Sequence, residues 1–298
     1  ALDMISALYS ADNAAERDRL WKLLLENQFH DILPGTSIPE VHRRAVGEVS
    51  AAVAEAESAL ERAFAPFAED RGECVSFFNL HGFEYGAPIS MAFGGRYPAT
   101  EADEYTDLAG NRRLLFRCNL PQLSSRTLPW SDRPIRSGQN AFRYEGGNLR
   151  TPYYRVQFNA NGEIVSLIDL QSGKEAAGKG GMNVFLSAED VPAAWDNWDI
   201  DADYVLKLHS CAKLLSSEVI CNGLHFRIRN AYSLGGTSVL RQDIVFYAFD
   251  RRIDFETALE WREKRRLLKV GFDTNILATF ARHDTQFGFV ERQTEANT

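Results

Sequence analysis

The sequence predicts an α+β chain of several domains, an N-terminal helical-bundle segment followed by antiparallel β-sandwich domains. Three observations carry this. Apolar residues recur at helical spacing over the first part of the chain, and from Cys74 onward the apolar period changes to two. A length of 298 residues, with 45% hydrophobic and 25% charged side chains, is enough for more than one core.

In chain order, Leu20, Trp21, Leu24 and Leu25 recur at helical spacing, and Asn13 followed by Glu16 offers a capping box, so a helix is predicted over 14–29. Pro34-Gly35 interrupts it. Ser37-Ile38-Pro39-Glu40 reads as a second capping box, with the proline tolerated in the first turn where its missing N–H costs nothing. The stripe Val41, Ala45, Val49, Ala52, Val53, Ala56, Leu60, Phe64 and Phe67 then predicts a long second helix. Two helices joined by a tight bend over 30–35 make a poor core, so a third element is expected to pack on them.

Segments 75–78, 113–118, 154–158, 164–168, 224–228, 238–249 and 253–261 alternate or run apolar between Gly, Pro, Asn and Asp clusters, as antiparallel sandwich strands do. Asn161-Gly162 between two of them predicts a hairpin with a type I′ turn. Segments 103–111 and 121–138 read as loops, and so do Gly94-Gly95, Gly146-Gly147, Gly180-Gly181 and Gly235-Gly236. The expected domains are 1–70 (helical), 71–145 (small β) and 146–298 (a larger β-sandwich, cut short at its end).

Thirty-three Lys and Arg against 41 Asp and Glu leave a net charge of -8, which repels polyanions and argues against nucleic acid as a partner. No apolar run approaches the roughly 20 residues that span a bilayer, and the N-terminus lacks the order of a signal peptide, so a membrane is not an expected partner. Cys74, Cys118, Cys211 and Cys221 lie far apart without metal spacing, which predicts free thiols and a cytoplasmic location. The chain opens on Ala1 and stops at Asn297-Thr298 just after a strand-like run, the expectation being a piece of a longer protein.

The richest segment chemically is Glu26-Asn-Gln-Phe-His-Asp-Ile-Leu-Pro-Gly-Thr36, which sets His30 beside Asp31 at the end of a helix. A neutral imidazole is a common zinc ligand, and a neighbouring carboxylate can bind metal, orient the ring or grip a sugar hydroxyl. The same pair also fits a bend in which Asp31 is solvated and His30 simply packs. Asp190-Val-Pro-Ala-Ala-Trp195-Asp196-Asn197-Trp198-Asp199 combines carboxylates with indoles, the pairing that grips sugar hydroxyls and stacks on apolar sugar faces. A long loop with both tryptophans tucked into the core is the alternative. His42, His81, His209, His225 and His283 stand isolated and read as structural or exposed, and Arg262-Glu-Lys-Arg-Arg266 reads as a solvent-facing turn.

Gln28-Phe29-His30-Asp31-Ile32-Leu33-Pro34-Gly35-Thr36 resembles the motif found where the catalytic domain meets the helical middle domain in family 38 glycoside hydrolases, the α-mannosidases. Further stretches agree in order: Phe78-Asn79-Leu80-His81-Gly82-Phe83, Ile164 to Lys174, Trp195-Asp-Asn-Trp-Asp-Ile-Asp201, Arg252-Ile-Asp-Phe-Glu256, Trp261 with Leu267-Leu-Lys-Val270, and Gln286-Phe-Gly-Phe-Val-Glu-Arg292. The resemblance covers essentially the whole chain.

It implies a retaining, exo-acting α-mannosidase that binds one divalent ion, usually zinc, and acts on α-mannoside glycans. In that family a large N-terminal barrel-like domain supplies the nucleophilic aspartate, the acid/base and three metal ligands. Carried over by position, His30 would be the fourth ligand and Asp31 would contact sugar or the metal's surroundings; Asp190, Trp195 and Asp196, by their chemistry, and Arg292, in a stretch resembling one that approaches the cleft in related enzymes, are further expected to line the substrate site. For Arg292 the alternative is a solvated strand-end arginine. The missing domain is then the main partner, a homo-oligomer is a further expectation, and the 298 residues alone are expected to be inactive. The rival reading is a non-catalytic carbohydrate-binding or scaffold module.

Overall fold

The structure, a computed structural model, describes residues 14–67, 72–138, 141–196, 198–285 and 288–294. It begins with helix α1 (Ala14–Asn27) and helix α2 (Pro39–Phe64), which continues into a 3-10 turn over Ala65–Phe67. Asn13 of the expected first capping box, the expected boundary at 70–71, Asn197, and Gln286-Phe287 lie outside the described residues. The helices run antiparallel, tied at one end by Arg62 donating to Glu16 at 3.0 Å and at the other by Asn27 Nδ2 donating to Glu48 Oε2 at 3.2 Å. Between them Leu20, Leu24, Val49, Val53 and Leu60 line an apolar groove of about 380 Å³, so the pair leaves much of its stripe uncovered.

The expected second capping box is not formed. Ile38, extended at φ −66° and ψ 155°, takes the N-cap position, and no side chain caps the helix. The Ile38 carbonyl accepts the first helical bond from the His42 N–H at 3.2 Å, while Pro39 in the first turn removes one donor that a cap would have had to satisfy.

Two three-stranded sheets follow, built from β1 (Cys74–Asn79), β2 (Pro88–Ala92), β3 (Tyr97–Pro98), β4 (Ala102–Thr106), β5 (Arg112–Arg117) and β6 (Ser124–Ser131). Their orders are β1-β6-β3 and β2-β5-β4, and they enclose a core of Ala102, Leu114, Phe116, Cys118, Leu120 and Leu128. Strands β4 and β6 occupy the two segments expected to be loops. Asp103 and Glu104 make β4 look solvated in sequence, yet Asp103 is buried, because its carboxylate accepts the Leu224 N–H at 2.6 Å. In β6, Pro129 has no ladder N–H to give, but its carbonyl accepts from Ala99 at 2.9 Å.

The rest is a larger sandwich. Strands β7 (Arg143–Glu145), β8 (Asn148–Arg150), β9 (Tyr154–Phe158), β10 (Ile164–Asp169), β11 (Ala177–Glu189) and β12 (His209–Ser210) form one sheet in the order β12-β11-β10-β9-β8-β7. Strands β13 (Lys213–Cys221), β14 (His225–Ser233), β15 (Val239–Tyr247) and β16 (Ile253–Glu260) form the second in sequence order, and β17 (Arg266–Thr274) returns to pair with β11. A short helix α3 (Tyr204–Lys207) precedes β12, and an exposed hairpin of β18 (Phe280–Thr285) and β19 (Gly288–Gln293) comes last among the described residues.

Leu149, Val156, Phe158 and Ile164 of the first sheet pack on Phe226, Ile228, Ile244 and Phe246 of the second. The opposite face of the second sheet is covered as well, with Tyr105 and Leu115 packing on Leu224, Val245 and Tyr247. Strands β14 and β15 are therefore buried on both faces, and one of those faces is charged. Arg227, fully buried, donates to Asp243 at 2.8 Å and to Glu256 at 2.6 and 3.2 Å, and its guanidinium lies 4.2 Å from the centre of the Tyr105 ring. Arg229 completes the pairing of Asp243 through two bonds of 2.8 Å and reaches the Thr106 carbonyl at 2.6 Å.

The hairpin at Asn161-Gly162 is present with a different turn. Gly162 has φ +76° but Asn161 does not adopt positive φ, and the Gly162 N–H donates to the Asn159 carbonyl at 3.0 Å. The turn spans 159–163, with Gly162 in the left-handed position of a bulged hairpin. Asn161 is used instead as a clamp to the second sheet, accepting from Leu214 N at 2.9 Å and donating to the Ala212 carbonyl at 3.2 Å. Gly180-Gly181 lies inside β11 rather than in a loop, and the Asp273 carboxylate of β17 accepts the Gly180 N–H at 2.7 Å. The four cysteines are free thiols, and burial pushes the Cys118 thiol up. Among the described residues no helix is long and apolar enough to cross a membrane.

Candidate functional site

The bend between α1 and α2 is a compact set of turns. Ile32 and Leu33 N–H groups both bond the Phe29 carbonyl, at 2.9 and 3.0 Å, and Gly35, at φ +78°, turns the chain toward α2. Asn27, buried at the end of α1, anchors the bend through its bonds to the Leu23 carbonyl and Glu48. His30 and Asp31 are thereby presented to solvent, with side chains 66% and 52% exposed and His30 Nε2 3.5 Å from Asp31 Oδ2. Thr36 reaches back to Asp31 Oδ1 at 3.3 Å.

An element far away in sequence meets this bend. The His30 ring sits between Phe29, with centroids 4.2 Å apart, and Trp198, with centroids 6.1 Å apart and planes crossed at 77°. Trp198 belongs to the loop that leaves β11. That loop is closed on itself by the Asp201 carboxylate, which accepts the Ala193 N–H at 3.2 Å, and by the Trp195 carbonyl, which accepts from Trp198 and Asp199 at 2.8 and 2.9 Å. Its base is fixed where Asp190 N–H donates to the Arg265 carbonyl at 2.9 Å. Trp195 holds φ +58°, a left-handed conformation that costs a bulky residue about 1 kcal/mol or more.

The indoles are not tucked into the core: Trp195 is 75% exposed and Trp198 55%. Asp196 is exposed on the same loop, whereas Asp190 is half-buried at its base. The fold thus brings the loop of Asp190, Trp195 and Asp196 to the bend of His30 and Asp31 through Trp198, which the sequence pattern contains without singling out. The alternating indoles and carboxylates pointed to the loop as a whole; nothing local marked Trp198 over Trp195. Arg292 is exposed on β19 opposite Ala281, and among the described residues no hydrogen bond or ring contact joins it to the bend.

Zinc in proteins takes four donors as a rule. Among the described residues no group of three or more His, Cys, Asp or Glu gathers to hold a metal. His30 with Asp31 offers an exposed imidazole and one carboxylate, which fits one or two positions of such a site and does not complete it.

The profile "Glycosyl hydrolases family 38 C-terminal domain" matches residues 149–298, and "Alpha mannosidase middle domain" matches residues 1–66. Alpha-mannosidase 2C1 of Homo sapiens is 25% identical over 296 residues, covering 96% of this chain, and alpha-mannosidase 2C1 of Mus musculus is 27% identical over 298 residues, again covering 96%. The alpha-mannosidase of Saccharomyces cerevisiae is 24% identical over 300 residues. The chain spans 27%, 27% and 24% of the lengths of these three relatives. In fold it matches the crystal structure of an alpha-mannosidase from Enterococcus faecalis V583 with a TM-score of 0.74 and 12% identity, over 99% of this chain and 42% of that one. Since the first profile alone takes in half of the 298 residues, the chain belongs to glycosyl hydrolase family 38.

Proposed function

We propose that this chain forms one wall of the active site of a retaining, metal-dependent exo-α-mannosidase that releases terminal α-linked mannose from glycans. The observation that carries the reading is the meeting of the His30–Asp31 bend with the indole-bearing loop at Trp198. An exposed nitrogen donor, a carboxylate and the exposed indole of Trp198 meet there, with the exposed Trp195 on the same loop, the mixture a sugar site with a metal needs. The relatives are about four times longer than the chain. This leaves room for a separate domain that supplies the two carboxylates of the retaining scheme and the remaining metal ligands, and the 298 residues alone are accordingly inactive.

Each group has a part in this reading. His30 offers a ring-nitrogen lone pair as one ligand of a divalent ion, zinc by donor type, and the Phe29 and Trp198 rings hold the imidazole in place. Asp31, steadied by Thr36, accepts a hydrogen bond from a sugar hydroxyl or from the shell around the ion. Trp195 presents an aromatic face to the apolar side of a sugar ring, and Asp190 and Asp196 accept from its hydroxyls. The ion, when bound, supplies a Lewis-acid grip on sugar hydroxyls. The free thiols fit a reducing, cytoplasmic setting.

The test is His30→Ala in the intact enzyme, with bound metal, hydrolysis of a chromogenic α-mannoside and thermal stability measured on the same preparation. The expected result is loss of metal and activity together, with the melting temperature falling no further than chelation of the metal lowers that of the unsubstituted enzyme. Retained metal with a lowered melting temperature would instead identify a non-catalytic scaffold or carbohydrate-binding module.

A further inference from the structure

The outer face of the larger sandwich carries a row of three arginines. Arg143 of β7 lies directly opposite Arg150 of β8, and Arg150 lies directly opposite Arg155 of β9. Opposite residues on antiparallel strands share a face, so these side chains stand abreast across two inter-strand gaps, about 10 Å in all. All three are exposed, while the next residues, Leu149 and Val156, point the other way into the core.

Like charges at opposed positions destabilise a strand pair. Several other exposed arginines have carboxylate partners, among them Arg252 with Asp254 at 2.9 Å, Arg262 with Glu260 at 3.2 Å and Arg282 with Glu291 at 2.8 Å. Among the described residues no side-chain hydrogen bond or ion pair engages Arg143, Arg150 or Arg155. Glu145, two positions along β7 on the same face, makes no ion pair with them, although the chain has 41 acidic residues against 33 basic ones. A repulsive row left uncompensated in an acidic protein is what an anion site requires before its ligand arrives.

We propose that this row binds phosphate groups, a diphosphate across all three guanidinium groups or a single phosphate between two. Each guanidinium is a planar fork of donors that meets two oxygens of a tetrahedral anion at once, and a di- or trianion neutralises the row that the strands force together. The row lies on a different element from the His30 bend, so its test does not depend on the mannosidase reading.

Thermal unfolding of the purified protein at low ionic strength, with and without inorganic pyrophosphate, reads the site directly, because a ligand of the native state raises its melting temperature by mass action. Pyrophosphate is expected to raise it more than inorganic phosphate does, and acetate not at all. In Arg150→Gln or Arg155→Gln, pyrophosphate affinity falls roughly tenfold, equivalent to about 1.4 kcal/mol. Without anion these variants melt no lower than the unsubstituted protein, since repulsion is relieved. Arg150→Lys, which keeps the charge and loses the fork, should bind between the two, and Arg133→Gln, an exposed arginine outside the row, should bind as the unsubstituted protein does. Methyl phosphate binding as well as inorganic phosphate marks a phosphate carried on a larger molecule; its failure marks the free ion. No shift with pyrophosphate, or equal shifts in the unsubstituted protein and Arg150→Gln, overturns the proposal.

Discussion

Replacing Arg227 by methionine tests how the two β sandwiches are held together. Arg227 is enclosed between the fully buried Asp243 and the partly exposed Glu256, with Tyr105 of the smaller sandwich against its guanidinium. Methionine keeps most of the volume and none of the charge. Removing one member of a buried ion pair costs about 3–5 kcal/mol, because the partner is left charged and dry. Here Asp243 keeps both bonds to Arg229 and Glu256 reaches solvent, so the lower end applies, about 3 kcal/mol including the lost contact with Tyr105. At roughly 2–4 °C per kcal/mol for a domain of this size, the melting temperature should fall by about 6–12 °C. Adding Glu256→Gln to Arg227→Met removes the stranded charge and should recover about 1 kcal/mol. The assay is urea unfolding followed by far-ultraviolet circular dichroism. A single variant within about 1 kcal/mol of the unsubstituted protein, or a double variant weaker than the single one, refutes the network as a source of stability.

Two other outcomes are expected. Gly162→Ala would place a Cβ 2.7 Å from the Tyr232 hydroxyl and 2.8 Å from Asn230 Nδ2 at a φ of +76°, and should cost about 1–3 kcal/mol in the same unfolding assay; a neutral substitution would contradict the packing of this turn on β14. His225 is fully enclosed, and burial holds its imidazole below the ordinary value of 6.5 against the opposing pull of Asp103, whose Oδ2 lies 3.3 Å from Nδ1. The unfolded chain therefore takes up this proton more readily, and the stability His225 contributes is complete above pH 6.5 and lost as the pH falls through its folded value. Melting temperature against pH should show this acid limb, flattened in His225→Phe; an unchanged slope in the variant assigns the limb to other groups.

The parts of the fold that sequence made visible are those with one buried face and a local signal. Alternation marks β9, whose Val156 and Phe158 turn inward between exposed neighbours, and helical spacing marks α1 and α2. Strand β4 escaped notice because its acidic residues read as solvated, and what makes Asp103 tolerable there is an N–H more than a hundred residues away. The turn at Asn161-Gly162 took another geometry because Asn161 is recruited by the second sheet, again a tertiary contact. The same division runs through the candidate site. The pair His30–Asp31 is legible because its residues are adjacent and sit at a Pro-Gly bend. Its meeting with Trp198 depends on how a helical bend and a β-sheet loop come together in space, for which no local pattern exists.

The proposed role of His30 as a metal ligand is tested most directly by X-ray absorption at the metal edge of the intact protein. If His30 holds the proposed ion, His30→Ala removes one nitrogen scatterer at about 2.0–2.1 Å from its first coordination shell. An unchanged first shell in the variant would contradict it.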